Sequence, residues 1–162
     1  VKGEQYLVLV SLMDGKPYEC FAGTSDKIAL PKRIKAGTLL KNGKKDGLST
    51  YNLIVPYGDD DELVFKDVAT LFDNQMYSTF TRVISLSLRH GVPLQFVCEQ
   101  LSKSKDEDMQ SFAKVVSRVL KQYIPDGTAP ASEKTCLNCG SSYVAYQQGC
   151  VGCLSCSTTK CG

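Results

Sequence analysis

The feature that most constrains this chain is its end. Residues 136–162 read CLNCGSSYVAYQQGCVGCLSCSTTKCG and hold six of the eight cysteines in a sequence of 162 residues. Two thiolates separated by two residues can reach one ion, and a following glycine lets the backbone turn beneath the sulfurs. Cys136-Leu-Asn-Cys139-Gly140 is therefore one half of a tetrahedral four-thiolate zinc site. The other half is Cys150-Val-Gly-Cys153 or Cys153-Leu-Ser-Cys156, and spacing alone leaves both open. Either choice builds a small zinc ribbon, with Tyr143 and Tyr146 on the strand between the knuckles. So small a cluster has almost no core, and bound metal would supply much of its folding free energy.

Two cysteines remain whichever knuckle closes the site. Ligation by Cys136, Cys139, Cys153 and Cys156 leaves Cys150 and Cys161; use of Cys150 as a ligand leaves Cys156 and Cys161. Either remaining pair is a dithiol near the chain end, suited to thiol–disulfide exchange, in which one thiolate attacks a disulfide and its neighbour resolves the intermediate. Lys160 would favour the thiolate of Cys161. Cys20 and Cys98 lie among apolar neighbours and read as buried, inert thiols.

The rest of the chain predicts an α+β body over residues 1–123. Two strand-forming runs in residues 4–22 flank Asp14-Gly15, a dipeptide made for a type I′ hairpin turn, and Pro17 places the second strand at an edge. Residues 24–70 read as a further strand or two with a long, decorated hairpin. Their lysines and Arg33 form a solvated basic stretch that the acidic run 59–62 partly balances. Met76, Phe80, Val83, Ile84 and Leu88 recur at helical spacing and predict one buried face. That helix ends at Arg89-His90-Gly91-Val92-Pro93, which gives the single histidine a capping role rather than a catalytic one. A second helix carries Phe96, Val97 and Leu101, and a third runs from near Met109 to Tyr123. Residues 124–135, with two prolines and no apolar periodicity, predict a flexible linker to the zinc ribbon and redox tail of residues 136–162.

Net charge of +2 is too mild to argue for nucleic acid or an acidic membrane surface. From Lys134 onward only two lysines, no arginine and two tyrosines are available to grip a nucleic acid. No apolar run is long enough to span a bilayer, nothing resembles a signal peptide, and paired cysteines without a secretory signal point to metal or redox work in the cytoplasm. Val1 in first place suggests a fragment or a processed chain.

The stretch STFTRVISLSLRHGVPLQFVCEQLSK, followed by a tail of form CxxCG…GCxxCxxC…KCG, resembles the C-terminal region of adenosylcobalamin-dependent (class II) ribonucleotide reductase. The hairpin YLVLVSLMDGKPYECFAG resembles the segment that precedes those helices in that family. One departure is Ser157, where the family pattern has glycine. The resemblance implies the electron-delivery end of a vitamin B12-dependent ribonucleoside-diphosphate reductase. Its C-terminal pair, Cys150 and Cys161 (Cys156 for Cys150 if the other knuckle binds metal), would reduce the active-site disulfide left when ribonucleotides become deoxyribonucleotides. Zinc would sit on Cys136, Cys139, Cys153 and Cys156. Adenosylcobalamin would enter only through a catalytic domain absent from this chain, which alone would lack the radical and substrate site. The implied partners are that catalytic barrel, an external dithiol reductant and a further copy of the chain. The alternative reading is a zinc-ribbon module for partner contact or oligomer control, without redox chemistry.

Overall fold

The structure, a computed structural model, describes residues 5–26, 28–72, 74–105 and 107–160. Strands β1 (Tyr6–Met13) and β2 (Lys16–Thr24) form the opening antiparallel hairpin. Asp14 and Gly15 both take positive φ, 51° and 74°, as a type I′ turn requires. A bulge between Ser11 and Leu12 shifts the register, so Leu12 faces Pro17. Strands β3 (Thr38–Lys45), β4 (Leu48–Tyr57) and β5 (Asp61–Phe65) form a second antiparallel sheet, whose first hairpin turns on Asp46-Gly47. A 3-10 turn at Val68–Leu71 leads to the helices α1 (Gln75–Arg89), α2 (Leu94–Ser102) and α3 (Glu107–Lys121).

The β1–β2 hairpin lies between two cores. Period-two alternation sends successive side chains to opposite faces. Tyr6, Val8, Val10, Cys20 and Ala22 pack against the helices, while Leu7, Leu9 and Phe21 pack against the three-stranded sheet with Tyr51, Leu53 and Val55. That double duty explains why YLVLV is apolar at every position. On the helical side Phe112, Ala113, Val116 and Leu120 of α3 are wholly buried, and the Phe112 ring stacks on Tyr77 at 3.9 Å between centroids.

Helix α1 starts where Asn74 Oδ1 accepts the amides of Met76 (2.9 Å) and Tyr77 (3.2 Å). It ends at His90, with Gly91 in the left-handed region and the Val92 amide returning to the Ser87 carbonyl. The helix is pinned to β2 through buried Ser85, whose hydroxyl accepts the Cys20 amide (3.0 Å) and donates to the Thr81 carbonyl (2.8 Å). The expected single buried face of α1 is split. Ile84 and Leu88 are buried, but Met76 and Val83 are 62% and 59% exposed, as is nearly half of Phe96 on α2. Apolar residues cover a wider arc of α1 than β2 and the other helices can cover. No helix among the described residues is long and apolar enough to cross a membrane.

Residues beyond α3 form a third antiparallel sheet, β6 (Val144–Gln147), β7 (Cys150–Cys153) and β8 (Thr159–Lys160), in the order β6-β7-β8. It is seated on the body. Tyr146 is 3% exposed and belongs to the helical core, as does Ile124. Within the segment read as a linker, the Gly127 amide donates to the Tyr146 carbonyl and the Tyr146 amide donates to the Thr128 carbonyl, both at 2.8 Å. Asp126 Oδ1 accepts the Gln148 amide at 2.7 Å. A Cβ built on Gly149 would lie 3.1 Å from the Lys121 carbonyl oxygen, and Gly149 has φ 76°, so a side chain there would be strained and would press on the end of α3.

Candidate metal centre

Two loops of nearly identical construction carry the cysteine cluster. In the first, the Gly140 amide donates to the Cys136 carbonyl and the Cys136 amide to the Ser141 carbonyl, both at 2.8 Å. In the second, the Ser157 amide donates to the Cys153 carbonyl (3.0 Å) and the Cys153 amide to the Thr158 carbonyl (2.9 Å). The residue after the second cysteine is left-handed in both, Gly140 at φ 71° and Ser157 at φ 59°. Ser157 thus occupies the glycine position of a knuckle and carries the strain of a Cβ there. The loops are joined by the Leu154 amide donating to the Tyr143 carbonyl and by the hydroxyls of Ser141 and Ser155, 2.8 Å apart.

The sulfurs of Cys136, Cys139, Cys153 and Cys156 all lie within 4.8 Å of one another, with Cys136–Cys156 and Cys139–Cys153 each at 3.6 Å. Four sulfurs about 2.3 Å from one ion at tetrahedral corners would stand about 3.8 Å apart, so the arrangement fits zinc. Two of the four thiols are drawn towards the thiolate and one away from it. A hydrogen bond shared with the Thr158 hydroxyl, then bonds from the Thr158 amide and the Asn138 side chain, bring the Cys156 thiol down to about 5. Hydrogen bonds from the Cys156 and Ser155 amides lower that of Cys153. The Ser141 amide favours ionisation of Cys139, but the neighbouring sulfurs outweigh it and push its thiol up to about 12. Four thiolates this close need a cation between them. The described residues thus include a four-cysteine cluster able to coordinate a metal ion, with the donor set of a structural zinc ribbon.

The other candidate residues fall elsewhere. Cys150, on β7, is disulfide-bonded, and Cys161 lies outside the described residues. Cys150 faces a cavity of about 830 Å³ between the ribbon and helices α2 and α3, whose walls include Cys98, Tyr146 and Lys160. Burial pushes the Cys98 thiol up to about 11 and that of Cys20 to about 12, so both stay protonated and unreactive at neutral pH. Exposed His90 caps its helix. Two features of the site had no signal in the spacing of the cysteines. Thr158 and Asn138 hydrogen-bond to Cys156, and Tyr146 anchors the ribbon in the body's core. Only the unbroken apolar character of Val144–Tyr146 hinted at the second.

Fold and site together define an α+β domain bearing a four-cysteine metal ribbon. The model of the NrdJ homologue C-terminal domain family matches residues 1–125, and this chain belongs to that family, related to the class II, B12-dependent ribonucleotide reductase. The match rests on the body and leaves the cysteine cluster outside it. No curated protein and no solved structure matches the chain.

Proposed function

We propose that the chain is the C-terminal domain of an NrdJ-type ribonucleotide reductase, and that its ribbon is a structural zinc module serving contact with the catalytic partner or assembly. The observation that carries this reading is the convergence of four sulfurs on a ribbon that plugs Tyr146 into the body. Zinc held by Cys136, Cys139, Cys153 and Cys156 would fix the two knuckles and, through β6, keep Tyr146 seated. The chain's own part is to present a rigid ribbon face beside the helices. Metal analysis of the native chain should give one zinc per chain. Chelation should then change its assembly size, or its retention on the catalytic partner. A metal-free chain with an intact ribbon and unchanged assembly would end the reading.

A second reading is favoured by one observation, the disulfide at Cys150. In it, Cys150 and Cys161 form the electron-delivering pair. As a dithiol they pass two electrons and two protons to a disulfide on the catalytic domain, which becomes a dithiol while a bond forms between the two tail sulfurs. An external dithiol reductant then reverses the change here. Adenosylcobalamin chemistry would belong to the catalytic domain. In the complete reductase, Cys150→Ser should stop multiple turnover yet leave a single turnover of prereduced enzyme. Normal multi-turnover kinetics would exclude the shuttle and leave the structural role standing.

A further inference from the structure

A cavity of about 480 Å³, with no ribbon residue in its lining, opens between α1 and the tip of the β3–β4 hairpin. Its walls bring together cations from two separate elements. Arg82 and Arg89 stand seven residues apart on α1, about 10 Å along the helix, and Lys44 and Lys45 at the end of β3 line the other wall. One of these charges is already matched. Buried Glu19 accepts Arg89 at 3.0 Å and the Tyr51 hydroxyl at 2.9 Å, a network that fixes the back wall. Burial, and then the bond to Glu19, push the Tyr51 phenol up, so that hydroxyl remains a donor. Among the described residues, Arg82, Lys44 and Lys45 have no carboxylate within ion-pair distance. Arg82 instead donates to the Ser78 hydroxyl at 3.3 Å, one turn back along the helix.

Solvated lysines on a hairpin tip need no ligand to explain them. Facing a held guanidinium across a walled cavity of ligand size is a different arrangement. A planar guanidinium offers paired donors to phosphate oxygens, and lysines add point charges without demanding geometry. Asp46 and Asp67 also line the walls, so the cavity's net charge is only +1. A monovalent anion gains little from that balance, whereas a multiply charged group spanning helix and hairpin engages both cationic walls at once. Phe21 and the exposed Leu48 also line the cavity, adding apolar surface beside the cations.

We propose that the cavity between α1 and the β3–β4 hairpin binds a polyphosphate group, with Arg82, Lys44 and Lys45 as its direct contacts and the Glu19–Arg89–Tyr51 network as its rigid wall. The proposal is independent of the metal ribbon. Two sources share this chemistry, a free polyphosphate and a nucleotide, and titration calorimetry of the full chain at low ionic strength separates them. Tripolyphosphate and ATP should both bind, and both should weaken as salt is raised. Arg82→Gln, and separately the double change Lys44→Gln with Lys45→Gln, should each weaken binding about tenfold. Lys103→Gln, outside the cavity, should leave it unchanged. Near-UV circular dichroism checks that each variant is folded, and the hairpin pair tests the site from a different element if the helix variant is not. Tighter binding of ATP than of tripolyphosphate assigns the base to the apolar lining at Phe21 and Leu48; equal binding assigns the phosphates alone. Absence of binding by either overturns the proposal. So does adenosine binding as well as ATP, or Lys103→Gln weakening binding as much as Arg82→Gln.

Discussion

The body buries Phe112, Val116 and Leu120 completely and stacks aromatic rings around them, whereas the ribbon of residues 136–160 buries Ala145, Tyr146, Gly152 and two of its cysteines, Cys136 and Cys153. The body's stability thus comes from apolar area removed from water. The ribbon's four-cysteine cluster is able to draw on metal coordination instead, and the ribbon lends one tyrosine to its neighbour. The lesson is that the two regions fail under different insults yet share a seam. Tyr146 and the hydrogen bonds of residues 126–128 let the loss of one be felt by the other.

The largest effect should come from the metal. Structural zinc sites of this type contribute on the order of 10–16 kcal/mol of apparent binding free energy, so chelation or Cys139→Ala should unfold the ribbon. Amide resonances of residues 136–160 would collapse while those of α3 persist; collapse of both together would show that the body cannot stand without its ribbon. Next in size, Phe112→Ala should destabilise the body by about 3–5 kcal/mol, measured by urea denaturation, while the metal remains bound. Tyr146→Ala tests the seam. It should cost about 3 kcal/mol and turn one cooperative transition into two, one chelator-sensitive and one not. A single transition in that variant would mean that the hydrogen bonds of residues 126–128 suffice for coupling.

Alkaline pH acts on the body through its two buried thiols. Cys20 and Cys98 hold their protons to about 12 and 11 because burial penalises the thiolate, against an ordinary value of 9.0. Above pH 9 the unfolded chain binds fewer protons than the folded one. Stability is therefore full below 9 and declines as pH rises towards the folded values. The thermal midpoint should fall over that window, and less steeply in Cys20→Ala. The smallest effect sharpens the view of the ribbon. Ser157→Gly relieves a left-handed serine and should raise ribbon stability by about 1 kcal/mol, read as slower zinc loss to a competing chelator.

Much of this was legible in the sequence where the physics is local. Asp14-Gly15 marked its hairpin because only a few residues accept two consecutive positive φ angles. The run from Arg89 to Pro93 marked a helix end because cap and breaker lie within one turn. The α+β class with three helices, and a ribbon able to hold metal, followed from periodicity and cysteine spacing. Illegible were features made by residues far apart in the chain. Met76 and Val83 carry the same helical spacing as Ile84 and Leu88, and nothing in that spacing says which neighbour will arrive to cover them. Two overlapping CxxC pairs look alike on paper. It took the folding of β7 to bring the sulfurs of Cys153 and Cys156 to those of Cys136 and Cys139 and to leave Cys150 facing the cavity.

By itself, the sequence determined the elements and the chemistry available: hairpin turns, helix ends, knuckle spacings and a surplus of thiols. The tertiary structure decided the partnerships. Glu19, Tyr51 and Arg89 meet from two strands and a helix, and Tyr146 leaves the ribbon to complete the body's core. The physical reason is range. Backbone preferences and ligand bite act over a few residues, while burial and charge pairing depend on which surfaces the whole chain brings together.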